Sequence, residues 1–374
     1  MQDYHVGLIL MVGGGGQAQE VERALRRARQ AAARDIIDQA LEIPQFDPII
    51  VLGDDDEWMA TLGDRDLRLV SSARDSSFHF GTSLYRLIED HGLERCCYMG
   101  GGSAPLITTS ALTQIALQLL RDEPVLVTNN LYSSDWAAFS PANALAPLIR
   151  LLERDNAVPW VWQEHTSYPV EVLPRSASTQ MDIDTPFDLL AISRHPSVHP
   201  HLRAFLDGLD WPATNLDAAL DVLRREASQV IVAGRVSSWL WQLIEQRTRA
   251  WVRVFSEERG MRASGRQARG EVRSLLSDYL ELTGIESFFE RLADMADAVF
   301  LDSRVILASR GLWPSDADRF YSDLLMSAQI QEPFLRSLTA AAASAPIPVV
   351  LGGHSLVSGG LALLLDGPGF KQSD

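Results

Sequence analysis

The most informative stretch of the sequence is Val6–Gln19, VGLILMVGGGGQAQ. A continuous apolar run that ends in glycines and leads into an Arg-, Ala- and Glu-rich segment is typical of a buried parallel strand, a tight loop and a helix. Because glycine has no Cβ, the N–H groups of such a loop can approach a phosphate, and a helix start favours negative charge. The stretch predicts a nucleotide site at Gly13, Gly14, Gly15 and Gly16, although a tight turn without a ligand has the same pattern.

Composition narrows the classes of protein to which the chain can belong. Its 374 residues exceed the length over which one core keeps growing, so about two domains are expected. A net charge of −16 argues against nucleic acid as a partner, because nucleic-acid-binding surfaces neutralise phosphates with basic side chains. The only lysine is Lys371, which excludes a P-loop lysine and argues against a Schiff base.

The cysteines and the apolar runs bear on location. Cys96 and Cys97 are the only cysteines and are adjacent, so neither a disulfide framework nor a zinc site is available. The N-terminus lacks the basic region of a signal peptide, and no apolar run reaches the ~18 residues that span a bilayer. We therefore expect a cytoplasmic protein that does not associate with a membrane.

Strands and helices alternate in the first half of the chain. Helices are predicted at 20–41, 81–91, 110–121 and 142–155, and strands at 6–12, 48–52, 67–71, 95–99, 124–129, 160–163 and 168–173. This spacing predicts an α/β fold with a mostly parallel sheet sandwiched by helices. Ligands on such sheets bind at the carboxyl ends of the strands. The glycines after the first strand lie there, as do three further candidate nucleotide-binding residues, Gly101, Gly102 and Ser103.

The second half has more helical spacing. Helices are predicted at 216–228, 237–258, 268–283, 287–295 and 316–327, and strands at 230–233, 298–307 and 347–351. Trp239, Trp241 and Trp251 fall in one of these helices and are expected in the core. His195–His201 contains three histidines and two prolines, and it is interpreted as a linker because proline prevents the helix that would align the histidines on one metal. We therefore expect an α/β domain at 1–198 and a mainly α-helical domain at 199–374.

The segment Gly352–Gly360, GGHSLVSGG, invites comparison with a hydrolase nucleophile elbow. That turn needs a glycine two residues after its serine, but Val357 stands there, and no histidine follows Ser355. The segment is better interpreted as a backbone-lined wall that would suit an anion.

Two acids stand close together in the segment 181–189, MDIDTPFDL. Asp182 and Asp184 are two residues apart on an extended stretch, so their side chains point to the same side, as a divalent cation requires. Thr185 or Asp184 as the N-cap, with Pro186 at the first helical position, is typical of a capped helix start. A metal site and a capped helix with solvated acids are both open at this point.

The order of these motifs resembles that of nucleotidyltransferases of GT-A fold, such as molybdenum cofactor guanylyltransferase and phospholactate guanylyltransferase. The resemblance covers about residues 5–195 and rests on the glycine loop, on SAPLIT at 103–108 and on DIDTPFDL at 182–189. It implies a GT-A-like, Rossmann-like fold and transfer of a nucleotidyl group from GTP, CTP or a related nucleotide to a small phosphorylated or cofactor-type acceptor. Asp182 and Asp184 would then hold Mg²⁺ and act in catalysis.

Two departures from the family pattern bear on catalysis. The family usually follows its glycine loop with an arginine and a lysine, whereas this chain has Gln17, Ala18 and Gln19. Arg23, Arg26 or Arg27 could reach back to the phosphates as substitutes for these residues, and Arg23 is the candidate catalytic residue. Ser103 stands where the family has a metal-binding aspartate.

Two alternatives to a working transferase stay open. The first is a catalytically degenerate protein that binds a nucleotide and acts in regulation or assembly. The second is an NAD-type dinucleotide-binding protein, because Gly13–Ala18 matches G-x-G-x-x-A and Asp54 ends the second strand, where a ribose hydroxyl would bind. Asp54 lies about twice as far along the chain as the usual ~20 residues.

Overall fold

The computed structural model describes residues 5–14, 18–63, 65–72 and 78–371. The chain forms two compact units, a first unit of Met1–Gly15, Arg26–Ile183 and Ser197–Phe205, and a second unit of Gly16–Leu25, Asp184–Pro196 and Leu206–Asp374. The predicted domain boundary at residue 198 stays a prediction.

Strands and helices alternate as far as residue 128, after which the order is less regular. The elements in chain order are β1 (Val6–Val12), α1 (Glu20–Leu41), β2 (Phe46–Gly53), α2 (Asp56–Ala60), β3 (Arg68–Ser71), α3 (Phe80–Asp90), β4 (Cys96–Gly100), α4 (Thr109–Leu119), β5 (Val125–Thr128), β6 (Trp136–Ser140), 3-10 helices at Ala142–Leu151 and Asp155–Ala157, α5 (Val158–His165), β7 (Val170–Val172), α6 (Ala177–Gln180), α7 (Pro186–Ser193) and α8 (Pro200–Asp207).

The remaining elements again combine strands with helices. They are α9 (Thr214–Arg224), β8 (Gln229–Gly234), α10 (Ser238–Arg247), β9 (Trp251–Ser256), α11 (Leu275–Thr283), α12 (Ile285–Ala293), β10 (Ala298–Asp302), α13 (Ser303–Ser309), α14 (Asp316–Asp323), a 3-10 helix at Ser327–Gln329, α15 (Pro333–Ala343), β11 (Val349–Gly352), a 3-10 helix at His354–Val357 and α16 (Gly359–Asp366).

The first unit is built on a seven-stranded sheet of order β3-β2-β1-β4-β6-β5-β7. All neighbouring strands are parallel except at β6, which is antiparallel to both β4 and β5. The predicted α/β class with a mostly parallel sheet is therefore confirmed. The sequence analysis missed β6, and its strand at 160–163 was wrong, because Val158, Val161 and Trp162 are spaced as one buried helix face.

Both faces of this sheet are buried, which explains the continuous apolar run in β1. Leu8 and Leu10 pack on one side with Ile36 and Ile37 of α1, whereas Ile9 packs on the other side in a cluster that includes helix α3. Alternate residues of a strand point to opposite faces, so a strand covered on both sides needs apolar residues at every position.

The strand order reverses at β1. From β1 the chain passes to β2 and β3 on one side, and it later returns to place β4 against the other side of β1. The register aligns the ends of the three strands, because Val12 pairs with Gly53 and Met11 with Gly100. The crevice outside the carboxyl ends of β1 and β4 is therefore a topological switch point, where open α/β sheets bind ligands.

The second unit contains many helices around a four-stranded parallel sheet of order β11-β10-β8-β9. Its apolar strand residues form a core with α12 and α15, which includes Ile231, Leu301 and Leu351. The sequence predicted three of the four strands. The helix predicted at 237–258 was wrong in its second half, since that part forms the edge strand β9 and leaves Trp251 69% exposed rather than in the core. No helix among the described residues is long and apolar enough to cross a membrane.

Candidate functional site

The candidate site of the first unit lies at the carboxyl ends of β1, β2 and β4. Three loops meet this edge because the ends of their strands are aligned: the loop that begins at Gly13, the loop that begins at Asp54, and the loop Gly101–Ser103. The sequence had predicted nucleotide-binding residues in each of these loops. Gly15 and Gly16 lie outside the described residues.

Asp54 holds the loop after β1 in place. The N–H of Gly14 donates to Asp54 Oδ2 at 3.0 Å, and Arg26 Nη2 donates to Asp54 Oδ1 at 2.5 Å. Burial by itself would raise the pKa of Asp54, but the hydrogen bonds from Arg26 and Gly14 outweigh it, and the pKa lies below its ordinary value. Gly14 has a φ of +74°, which favours glycine. The glycine loop is therefore anchored to the end of β2 by a charged carboxylate.

The arginines considered as phosphate ligands have partners in the structure. Arg26 pairs with Asp54, and its Nε lies 3.5 Å from Asp55 Oδ2. Arg23, in the second unit, donates to Glu20 Oε2 from Nε at 3.0 Å and from Nη2 at 2.8 Å. The catalytic role of Arg23 stays a prediction, and Arg26 serves to fix the loop.

The loop after β4 is buried and closely packed. Gly101 N–H donates to Met11 O at 2.9 Å, and a Cβ on Gly101 would lie 3.0 Å from Val12 Cγ1. A Cβ on Gly102 would lie 3.0 Å from Arg29 Cγ and 3.2 Å from Ile183 O. These glycines let the loop approach β1 and the segment at 183 closely.

Ser103 brings two of the sequence motifs together. It pairs with Asp182 in an isolated antiparallel bridge, and Ile183 N–H donates to Gly102 O at 3.1 Å. Its side chain donates to the carbonyl oxygen of Asp135 at 2.6 Å, and the residue is only 3% exposed. The segments that contain Ser103 and Asp182 therefore lie side by side at the switch point. The Ser103 hydroxyl is buried and bonded to the backbone of Asp135.

Asp135 is a site carboxylate that the sequence analysis missed. Its Oδ2 accepts from Asn129 Nδ2 at 2.7 Å, and its N–H donates to Asn129 Oδ1 at 3.2 Å. It directly precedes β6, and because β6 is antiparallel, its start lies at the edge where the parallel strands end. The signal in the sequence was the short apolar run of residues 136–139, to which no element had been assigned.

Tyr98 also lies among these acids. Its hydroxyl lies 3.3 Å from Asp155 Oδ2, and burial raises its pKa well above the usual value, with the negative charges of Asp155, Asp182 and Asp135 adding to the effect. The phenol therefore stays protonated and can donate a hydrogen bond at this edge.

Asp184 belongs to the second unit, at the start of α7, and is exposed. Thr185 is the N-cap and Pro186 the first helical residue, as the sequence predicted. The buried Asp188 Oδ2 accepts from Asp184 N at 2.9 Å and from Thr185 N at 2.6 Å. The capped helix is confirmed, whereas a metal on Asp182 and Asp184 stays a prediction.

The histidines of the predicted linker have separate partners. In the first unit, His199 Nε2 lies 2.8 Å from Ile107 O, and His201 Nε2 lies 2.7 Å from Asp38 Oδ2. No group of three or more His, Cys, Asp or Glu side chains in the described part of the chain is arranged to hold a metal ion.

Comparison with known proteins gave matches among solved structures only. No family model and no curated protein matches the chain. A cytidylyltransferase from Leptospira borgpetersenii is 16% identical, with 54% of this chain and 92% of that chain covered and a TM-score of 0.39. A nucleotidyl transferase from Methanothermobacter is 15% identical, with coverages of 55% and 99% and a TM-score of 0.39.

A third solved structure, 4-diphosphocytidyl-2C-methyl-D-erythritol synthase from Anaerococcus prevotii, is 14% identical, with coverages of 50% and 94% and a TM-score of 0.37. Likenesses at this level do not show what the chain binds. Two of these three solved structures are described as a cytidylyltransferase and a nucleotidyl transferase.

Proposed function

We propose that the first unit binds a nucleoside triphosphate or nucleotide-sugar at the switch point between β1 and β4 and transfers a nucleotidyl group to a small phosphorylated or cofactor-type acceptor. One observation carries the proposal: the anchored glycine loop after β1 and the Ser103–Asp182 bridge after β4 flank the same crevice. GTP and CTP are the candidate nucleotides.

The glycine loop would hold the phosphates through backbone N–H groups. Gly14 is in the left-handed region, and its N–H already donates to Asp54, so the phosphates would meet the other N–H groups of the loop. The contact with Asp54 holds Gly14 in place, and a residue that is already held loses less conformational entropy on binding. Positioning the phosphate groups for in-line attack is the main task of a protein that catalyses such a transfer.

Magnesium would accompany the nucleotide rather than occupy a site of its own. The absence of a three-ligand cluster among the described residues does not fit a metal held by protein alone. Mg²⁺ in nucleotide sites commonly takes one or two carboxylates and completes its shell with phosphates and water. Asp182 in the first unit is the carboxylate that would serve, with Asp184 as the second ligand that the sequence suggests.

An NAD-type site receives less support from the geometry. The ribose-binding acid of such a site must accept hydrogen bonds from the ligand. Both oxygens of Asp54 already accept, one from Gly14 N–H and both from Arg26, so this carboxylate serves the loop.

Calorimetry with CTP, GTP, NAD and a nucleotide-sugar, each with and without Mg²⁺, tests the binding step. We expect Mg²⁺-dependent binding of a triphosphate, and we expect Gly14→Val to abolish it because valine is strained in the left-handed region. Gly92→Val is the matched control, since Gly92 has a φ of +60° but precedes β4 at the opposite edge of the sheet. Equal loss of affinity in both variants would contradict the site.

Pyrophosphate release from the bound triphosphate, measured with a set of phosphorylated acceptors, tests the transfer step. Release that depends on one acceptor supports a transferase. Tight binding without release by any acceptor would instead favour the catalytically degenerate alternative, for which the uncharged Ser103 is the motivating observation.

A further inference from the structure

Ser103 stands where the family that the sequence resembles has a metal-binding aspartate, and its side chain is engaged with a neighbouring segment. Its Oγ donates to the carbonyl oxygen of Asp135 at 2.6 Å, and the residue is 3% exposed. A serine hydroxyl carries no negative charge, whereas Mg²⁺ prefers carboxylate ligands. The contact brings Asp135 to the end of β4, beside the position at which the family has its carboxylate.

The end of β4 and the start of β6 meet at one point because Gly100 has no side chain. A Cβ on Gly100 would lie 2.8 Å from Ser103 Oγ, and 3.8 Å from both the Asp135 carbonyl oxygen and the Tyr98 hydroxyl. The antiparallel pairing of β4 with β6 explains the approach, since Met99 pairs with Trp136 and the two chains continue side by side. Asp135 is therefore fixed at this edge by backbone contacts as well as by Ser103.

Asp182 reaches the same point through backbone pairing. It is the antiparallel bridge partner of Ser103, and its Oδ1 accepts from Ile183 N–H at 2.9 Å. Residues directly opposite each other in an antiparallel pair project their side chains from the same face, with Cβ atoms about 4.5–5.5 Å apart. Because the Ser103 side chain points to Asp135, the Asp182 side chain leaves its segment on the side where Asp135 lies.

A buried asparagine orients the Asp135 carboxylate. Asn129 Nδ2 donates to Asp135 Oδ2 at 2.7 Å, Asp135 N–H donates to Asn129 Oδ1 at 3.2 Å, and Asn129 is 2% exposed. Asn129 is itself held, because its Nδ2 also donates to Thr179 O at 2.9 Å. Asp135 and Asp182, in contrast, are only half-buried. Hydrogen bonds from a fixed outer residue to a half-buried carboxylate are a regular feature of metal ligands.

We propose that Asp135 is a ligand of the magnesium ion that accompanies the bound nucleotide, and that it acts together with Asp182. The inference rests on the nucleotide site proposed above, and it assigns to Asp135 the part that an aspartate at position 103 would play. Mg²⁺ in such sites takes one or two carboxylates and completes its shell with phosphate oxygens and water. Asp135 and Asp182 both belong to the first unit, whereas Asp184 belongs to the second.

Titration of the full chain with Mn²⁺ tests the inference, because Mn²⁺ takes the same oxygen ligands as Mg²⁺ and its sharp EPR signal is lost on binding. We expect the wild type to bind Mn²⁺, and to bind it more tightly when CTP or GTP is present. Asp135→Asn should weaken Mn²⁺ binding about tenfold or more, since a charged ligand becomes neutral. Its melting temperature without metal should not fall, because the new amide oxygen can still accept from Asn129.

Asp155→Asn is the matched control. Asp155 is an exposed carboxylate whose Oδ2 lies 3.3 Å from the Tyr98 hydroxyl, so the substitution makes the same change of charge close by. This variant should bind Mn²⁺ like the wild type. An equal loss in both variants would reduce the effect to diffuse attraction of a cation by acids and overturn the inference. Loss in Asp184→Asn without loss in Asp135→Asn would assign the ligand to Asp184 and overturn it as well.

The same titrations separate this inference from the proposed function. If the wild type binds no nucleotide, the proposed function fails, whereas weaker Mn²⁺ binding in Asp135→Asn would still identify a metal ligand. If nucleotide binding depends on the metal and Asp135→Asn binds Mn²⁺ normally, the inference fails and the proposed function stands. A wild type that binds no Mn²⁺, with or without nucleotide, would also contradict the inference.

Discussion

Replacement of Asp188 by asparagine should change how stability depends on pH. Asp188 is fully buried, and its Oδ2 accepts hydrogen bonds from Asp184 N, Thr185 N and Thr185 Oγ1. Burial raises its pKa to about 7 and the charge of Asp184 raises it further, although the hydrogen bonds from the N–H groups of Asp184 and Thr185 lower it. The folded chain therefore keeps a proton that the unfolded chain releases near its ordinary value of 3.8.

The sign and the size of the effect follow from this difference. Between about pH 4 and pH 7 the folded state binds one more proton than the unfolded state, so the free energy of unfolding falls as pH rises. The stabilisation that Asp188 contributes is fully present at pH values below its pKa in the unfolded chain, and it is fully lost at pH values above its pKa in the folded chain. Each pKa unit corresponds to about 1.36 kcal/mol, so a shift of roughly three units sets an upper limit of ~4 kcal/mol.

Urea unfolding at about pH 5 and about pH 8 measures the effect in the wild type and in Asp188→Asn. Asparagine does not titrate, and its amide oxygen can still accept from Thr185. The wild type loses stability only between pH 5 and the folded pKa of about 7, which is roughly two pKa units, so the variant should gain about 2–3 kcal/mol relative to the wild type over this interval. Burial raises the pKa of Asp323 to about 6, although the charge of Arg304 lowers it. Asp323 therefore gives the free energy of unfolding a pH dependence of the same sign in the wild type and in the variant.

Asp221→Asn is the control, because Asp221 is an exposed carboxylate, 76% exposed in its side chain, and the substitution makes the same change of charge. It should reproduce the wild-type pH dependence. If Asp188→Asn also follows the wild-type curve, then Asp188 is ionised in the folded protein throughout, and the reasoning from burial is refuted.

Three further outcomes are expected. Asp302→Asn should lower the free energy of unfolding by about 3–5 kcal/mol, because it leaves the buried Arg235, whose Nε donates to Asp302 Oδ2 at 2.6 Å, without its counter-charge; a loss under ~1 kcal/mol in urea unfolding would contradict this. Ser103→Asp should lower the melting temperature, because it sets a carboxylate against the Asp135 carbonyl in a site that is 3% exposed; recovery on addition of Mg²⁺ would show instead that position 103 can act as a metal ligand. Burial raises the pKa of both cysteine thiols, that of Cys97 to about 12, so neither should react with a thiol reagent in the folded protein; labelling before unfolding would rule this out.

Local patterns in the sequence were sufficient for most elements in the first half of the chain. The apolar run of β1, the glycines at its end and the Thr185–Pro186 helix start each reflect the backbone preferences of a few neighbouring residues. Alternating strands and helices then implied a parallel sheet whose strand ends share one edge. The predicted glycine loop and the Ser103 and Asp182 motifs lie at that edge for this reason.

Elements that depend on their position in a sheet were harder to predict. β9 is an edge strand with alternating exposure, and its spacing of apolar residues also suits a helix. The apolar run of residues 136–139 suggests a strand at β6, but nothing near it in the sequence shows that this strand is antiparallel, which is what brings its start and Asp135 to the site.

The class of fold and the edge of the sheet at which to look for a ligand follow from the sequence, because periodicity and turn chemistry are local properties. How the side chains at each edge are used depends on the tertiary structure. Asp54 anchors the glycine loop instead of facing a ribose, the Ser103 hydroxyl is turned inward, and Arg235 is paired with Asp302. Each of these contacts joins residues far apart in the chain, and which strands become neighbours is fixed by the packing of the whole sheet.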